Sequence, residues 1–225
     1  LPDGALSVPP GVGLGRARLS PYADEESWTT REAIRSSTFW RLVVIFSMVM
    51  LATGILGVHR IPSFLDRGLS ARLVSFATAF DAVAAGASAF TMGLLVRRVP
   101  SRYLGGVGFV LLAVASVLTI YADTSLIMFL SMAVFGLGIG GMMFLQNFMW
   151  ADYYGRRHLG SIRGIVTPIT LVIGGIGAPL AGYVRAATGS YTAVWWAGVG
   201  LMLAGAAMLI FTSAPRRLAS GPPAT

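Results

Sequence analysis

The chain is 225 residues long, 55% hydrophobic and 12% charged, with a mean hydropathy of +0.73. Soluble domains carry about a quarter charged residues, and here the apolar residues run on far enough to cross about 30 Å of hydrocarbon, which excludes an ordinary soluble domain. The net charge of +8 comes from 17 arginines and no lysine; they cluster between apolar runs and not on an amphipathic face with interleaved aromatics, so they mark topology and not nucleic-acid binding.

Cysteine is absent, which excludes disulfides and thiolate chemistry. His59 and His158 are too few and too far apart for a histidine metal cluster. Neither a metal nor a cofactor is expected. Residues 1–38 are rich in Pro, Gly and charge and read as a linker, disordered over its first half. Nothing near Leu1 has the layout of a signal peptide, so the chain is expected to begin in mid-protein. Thr29 and Glu32 stand at capping-box spacing, and a short amphipathic helix is expected there, leading into the first span.

Six apolar segments follow, at 39–58, 73–96, 103–122, 124–149, 164–184 and 192–212. They predict an all-α membrane protein with a six-helix bundle over 39–213 and a tail at 214–225. Six spans put both termini on one side. Only Arg60, Arg67, Arg72 and Arg185 fall on the opposite side, and the other arginines fall on the terminal side. Short arginine-rich loops stay in the cytoplasm, so both termini are expected there. Arginine without lysine, with much Ala and Gly, points to a GC-rich genome, and the expected location is a plasma membrane, the bacterial inner membrane.

Several stretches resemble the second half of a major facilitator transporter, especially its monocarboxylate and oxalate–formate branches. "TREAIRSSTFWRL" is similar to the entry into the seventh helix, and "GVHRIPSFLDRGLSA" to the outer loop after it. "GLLVRRVPSR" resembles the second copy of the family's cytoplasmic loop motif; Gly93, Leu95, Arg98 and Arg102 match, while Arg97 stands where the motif has an aspartate. "FGLGIGG" with "WADYYGRRHLGSIRG" is similar to the tenth helix and its exit, and "GGIGAPLAGYVRAATGSY" to the eleventh. The resemblance implies a six-helix half with 3+3 inverted repeats. It also implies a partner, either an N-terminal six-helix half or a second copy, with the solute bound between them.

Asp81 is the one acidic residue inside these six apolar segments, about 12 Å deep at 1.5 Å per residue, whereas Arg41 stands at the very edge of the first. An ionised carboxylate there costs on the order of 3 kcal/mol. It must face a cavity, pair or stay protonated, as a proton-coupling or substrate-contacting acid or as an acid satisfied by hydroxyls such as Thr78. Monocarboxylate-type relatives carry an arginine four residues after this aspartate; here Ala85 stands there, so the fixed cation for a carboxylate is missing from that helix. Gln146 and Asn147 are candidates for orienting a polar solute, or for satisfying backbone between helices. His59 and Arg60 read as an outer-mouth pair, a gate or an ordinary interfacial pair. Trp150, Tyr153 and Tyr154 read as an interfacial belt, as do Trp195 and Trp196. Asp152 with Arg156, Arg157 and Arg163 reads as a cytoplasmic gate or as lipid-headgroup anchoring. Pro168, Gly174, Gly175, Gly177 and Pro179 would let the fifth span bend or rock, or pack it tightly.

The leading expectation is a secondary active transporter of a small organic solute, an organic anion or amphipathic compound, working by alternating access with proton coupling or exchange. A non-transporting assembly protein on the same scaffold is the second reading. An intramembrane enzyme is not expected, because the chain contains no GxSxG, no HExxH and no acidic metal cluster.

Overall fold

The computed structural model describes residues 27–215. Residues 1–26 of the expected linker and 216–225 of the expected tail, with the arginines at 16, 18, 216 and 217, lie outside the described residues. Among the described residues the elements are α1 (Thr30–Arg35), α2 (Ser37–Asp66), α3 (Ala71–Leu95), α4 (Ser101–Ile120), α5 (Ser125–Tyr154), α6 (Leu159–Thr188) and α7 (Thr192–Ile210). Over the described residues the chain is all-helical, a multi-pass membrane protein in which α2 to α7 are each long and apolar enough to cross a bilayer. The shortest, α7, has 19 residues and at 1.5 Å per residue spans about 28 Å.

Local chemistry sets the helix ends. Thr29 and Glu32 close the capping box that their spacing predicts, the Thr29 amide donating to Glu32 Oε2 at 2.8 Å. Ser36 Oγ accepts from the Phe39 amide and Thr124 Oγ1 from the Ile127 amide, capping α2 and α5, so donors left over in the first turn are satisfied. Gly155, at φ 76°, and Gly189, at φ 75°, end α5 and α6 in backbone geometry that suits glycine.

The spans agree with the sequence to within a few residues except at the end of the first. There the apolar segment stops at residue 58, but α2 continues through His59, Arg60 and Pro62 to Asp66. Pro62 removes only its own amide from the helix ladder, and the buried stripe continues as Leu56, Arg60, Ser63 and Phe64 at helical spacing.

The spans run alternately up and down. The Trp28 amide donates to the Tyr154 carbonyl at 2.9 Å, and Tyr153 Oη donates to the Thr212 carbonyl at 3.4 Å. Both ends of the described chain therefore meet at one end of the bundle, called proximal below; Asp66, Asp123 and Arg185 lie at the other, distal end.

The helices pack in the order α6, α2, α7, α4, α5, α3, while α2 barely touches α3 and α5 barely touches α6. Exchanging α2 with α5, α3 with α6 and α4 with α7 leaves that packing order unchanged apart from its direction, and each exchange reverses the helix direction. Burial follows the same pattern, with half of the most apolar stretch buried in α2 and α5 but 22% in α3 and α6. Two glycine crossings make the tightest contacts. Gly136 and Gly140 of α5 lie against the backbone carbonyls of Asp81 and Ala85 of α3, and Gly54 of α2 lies against the carbonyl of Gly174 of α6. A Cβ on Gly177 would stand 2.5 Å from the Leu51 carbonyl and 2.7 Å from the Ile55 nitrogen.

The proximal end is closed by aromatic packing. Phe39 meets Trp150 edge-on at 5.4 Å, and Trp150 stacks on Tyr154 at 5.8 Å; such pairs contribute about 0.5–1.5 kcal/mol each beyond area burial. Trp150 and Tyr154 are fully buried and Tyr153 nearly so, so the expected interfacial belt is instead core. Trp195 is likewise buried, and of the distal pair only Trp196 is exposed.

Candidate functional site

Asp81 projects from α3 about 15 Å from that helix's distal end, ten residues at 1.5 Å each. Its carboxylate meets Arg60 of α2: Arg60 Nη2 donates to Asp81 Oδ2 in an ion pair whose side chains are 7% and 13% exposed. The Arg60 guanidinium lies 3.8 Å from the ring centroid of Phe135 on α5, a cation–π contact that is strongest when desolvated. Gly136 makes this arrangement possible, because any side chain there would strike the Asp81 backbone oxygen and its Oδ1.

Arg60 is therefore not an outer-mouth residue. It is 5% exposed, turned inward from the continued α2, and it places a fixed cation beside Asp81 although Ala85 on α3 supplies none. Thr78, the hydroxyl considered for satisfying Asp81, donates instead to the Val74 carbonyl at 2.9 Å. The pair also has hydrogen-bonding capacity to spare. Arg60 Nε, Arg60 Nη1 and Asp81 Oδ1 are buried and without a hydrogen-bond partner among the described residues. Buried polar atoms are nearly always satisfied, and a guanidinium carries five N–H donors in a fork that suits carboxylates. Three orphaned groups of both polarities at mid-depth are what a polar ligand could complete.

His59 sits half-buried toward the distal end and is fully engaged. Its Nε2 is 2.8 Å from the Ala178 carbonyl, which can only accept, so Nε2 carries the hydrogen; Nδ1 then accepts from Tyr191 Oη at 3.0 Å. Arg185 lies 4.7 Å above the Tyr191 ring and pairs with Asp66 at 2.7 Å. These contacts tie α2 to α6 and to the start of α7. A polar recess of about 350 Å³ opens beside them, lined by Arg67, Asp123 and Trp195 among others.

The other sequence candidates separate into different places. Gln146 and Asn147 lie toward the proximal end of α5, about one turn from Trp150. Asn147 is exposed, donates to the Met143 carbonyl at 2.8 Å and accepts from Arg163 Nη2, so this amide bridges α5 and α6. Gln146 is half-buried. Asp152 accepts from Ser101 Oγ at 3.2 Å, linking α5 to the start of α4, while Arg156 and Arg157 are exposed on the turn before α6. In the loop motif, a Cβ on Gly93 would stand 3.6 Å from the Phe144 ring, the Leu95 carbonyl accepts from the Arg98 amide at 2.8 Å, and Arg102 lies 4.9 Å from the Tyr103 ring.

The glycines and prolines of α6 divide by face. Gly174 and Gly177 are packed on α2, whereas Gly175 has open space around it and Pro168 and Pro179 are exposed. The helix runs unbroken across them from Leu159 to Thr188. Among the described residues no three His, Asp or Glu side chains gather to hold a metal.

Sequence reasoning missed the Arg60–Asp81 pair and the Phe135 platform. The signal was present in part, since the apolar stripe of α2 continues at helical spacing past His59. No scan against protein-family models and no search of curated proteins returned a match to the chain.

Proposed function

We propose that this chain is the C-terminal six-helix half of a secondary active transporter of the major facilitator type, moving a small organic solute by alternating access. The observation that carries the proposal is the buried Arg60–Asp81 pair with unused donors and an unused acceptor. Charged groups at this depth are costly and mark solute or ion pathways. An organic anion fits best: its carboxylate or other acidic oxygens would take the idle Arg60 donors, and Asp81, released from Arg60, would take a proton. Transport is then proton-coupled or an exchange.

Two features support the scaffold. The packing order maps onto itself under an exchange that reverses helix direction, as inverted repeats require. The sparsely buried helices α3 and α6 offer the surface on which an N-terminal six-helix half, or a second copy, would close a cavity lined by α2, α3, α5 and α6. The arginine-rich proximal end faces the cytoplasm of a plasma membrane in this reading, with lipid around the bundle and no catalytic step.

The test is uptake of organic anions by the full-length protein in proteoliposomes across a pH series. Asp81→Asn should abolish the pH dependence of uptake while the protein stays folded, and Arg60→Gln should abolish anion uptake. Unaltered pH dependence in the Asp81 variant removes its assigned role, and full anion uptake without Arg60 refutes the site.

A further inference from the structure

A recess that the transport site does not use lies on the outer surface of the bundle. Between the start of α2 and the end of α7 lies a groove of about 330 Å³, lined by Arg41, Ala207, Met208, Phe211 and Thr212. Its walls are apolar apart from Arg41 and the Thr212 hydroxyl, which donates to the Met208 carbonyl at 2.7 Å. Phe211 is 83% exposed and Met208 37%.

Among the described residues Arg41 is the only charged group lining this groove. It is the fifth residue of α2, about 6 Å from that helix's proximal end, and it is exposed. Among the described residues it takes part in no ion pair. Beside it the Trp40 ring is half-exposed and its indole N–H donates to the Ile34 carbonyl at 2.9 Å. An aromatic held so is placed as residues at a bilayer interface are.

We propose that this groove binds one anionic phospholipid, with an acyl chain along Ala207, Met208 and Phe211 and the phosphate on Arg41. The apolar walls at membrane depth demand a hydrocarbon occupant, since an empty apolar recess forfeits its dispersion contacts. The unpaired guanidinium at the headgroup level demands an anion, and its fork suits phosphate oxygens. Basic pockets between spanning helices recognise anionic headgroups on the same physical grounds. The chain's own tail is a poor alternative occupant. Residues 213–225 carry two arginines and no acid, so they add to the positive charge at this end and do not neutralise Arg41.

The experiment is native mass spectrometry of the full-length protein in detergent, titrated with phosphatidylglycerol or with phosphatidylcholine of the same acyl chains. The expected result is a saturable phosphatidylglycerol adduct. Arg41→Gln weakens it roughly fivefold, the equivalent of about 1 kcal/mol for a basic residue at an anionic lipid surface. Ala207→Phe, which fills the groove and keeps the charge, also removes the adduct, whereas the exposed distal Arg72→Gln leaves it unchanged. Equal retention of both lipids by the parent protein, or an unchanged preference in Arg41→Gln, overturns the proposal. A gain of lipid binding on removing residues 216–225 would show that the tail fills the groove, and overturns it too.

Discussion

Removing one partner of the Arg60–Asp81 pair should be far more damaging than removing both. In Asp81→Leu the Arg60 guanidinium, 5% exposed, keeps its place over Phe135 with no counter-charge. Breaking a buried pair in this way costs about 3–5 kcal/mol. At roughly 2–4 °C per kcal/mol for a chain of this size, the midpoint should fall by about 6–20 °C. Arg60→Met alone leaves Asp81 in the same position from the other side and should cost a similar amount. If the two sites were independent, the double variant would lose about 6–10 kcal/mol by simple addition. Because replacing both members with apolar groups removes both desolvation costs, the double variant should lie within about 2 kcal/mol of the parent. Thermal unfolding in one detergent, run on all four proteins, closes the cycle. A double variant that melts as low as the sum of the singles, or a single that melts within 2 °C of the parent, would refute a buried and mutually dependent pair.

Three further outcomes follow from the packing. Gly177→Ala and Gly140→Ala force a Cβ onto neighbouring backbone and should each lose about 1–3 kcal/mol in thermal unfolding, while Gly175→Ala, with open space around it, should be neutral or gain up to about 1 kcal/mol. Tyr154→Phe removes the 2.9 Å contact with Ser36 Oγ and should lose about 1 kcal/mol; limited proteolysis should then cut before α1 more readily. The absence of cysteine allows single-site labelling without background: with a cytoplasmic proximal end, Ser213→Cys in whole cells should resist an impermeant maleimide that modifies Gly68→Cys, and the reverse pattern would invert the topology.

Span positions were legible in the sequence because hydropathy alone determines which stretches leave water. Asp81 was legible for the same reason, as a charge among apolar residues. Arg60 was not, because the apolar run stops at Val58 while the helix continues, and a boundary set by hydropathy placed Arg60 in a loop. Its partner lies 21 residues away on another helix, a pairing that periodicity within one helix does not carry. Trp150 and Tyr154 were misplaced for a related reason. An aromatic near a span's end fits an interfacial belt or the closure of a bundle equally well, and the Phe39 and Trp28 rings that bury them belong to segments far away in the chain.

The sparse contact between α2 and α3 has a mechanical side. Gly54, Gly174 and Gly177 fuse α2 and α6 into one stiff blade, and Gly136 and Gly140 fuse α3 and α5 into another. Across the seam from α2 to α3, the Arg60–Asp81 ion pair is the only charged tie among the described residues. The two blades are thus held at the proximal end by Phe39 on Trp150 and toward the distal end by this one charged tie; a competing anion, or a proton on the carboxylate, would release the second and leave the first.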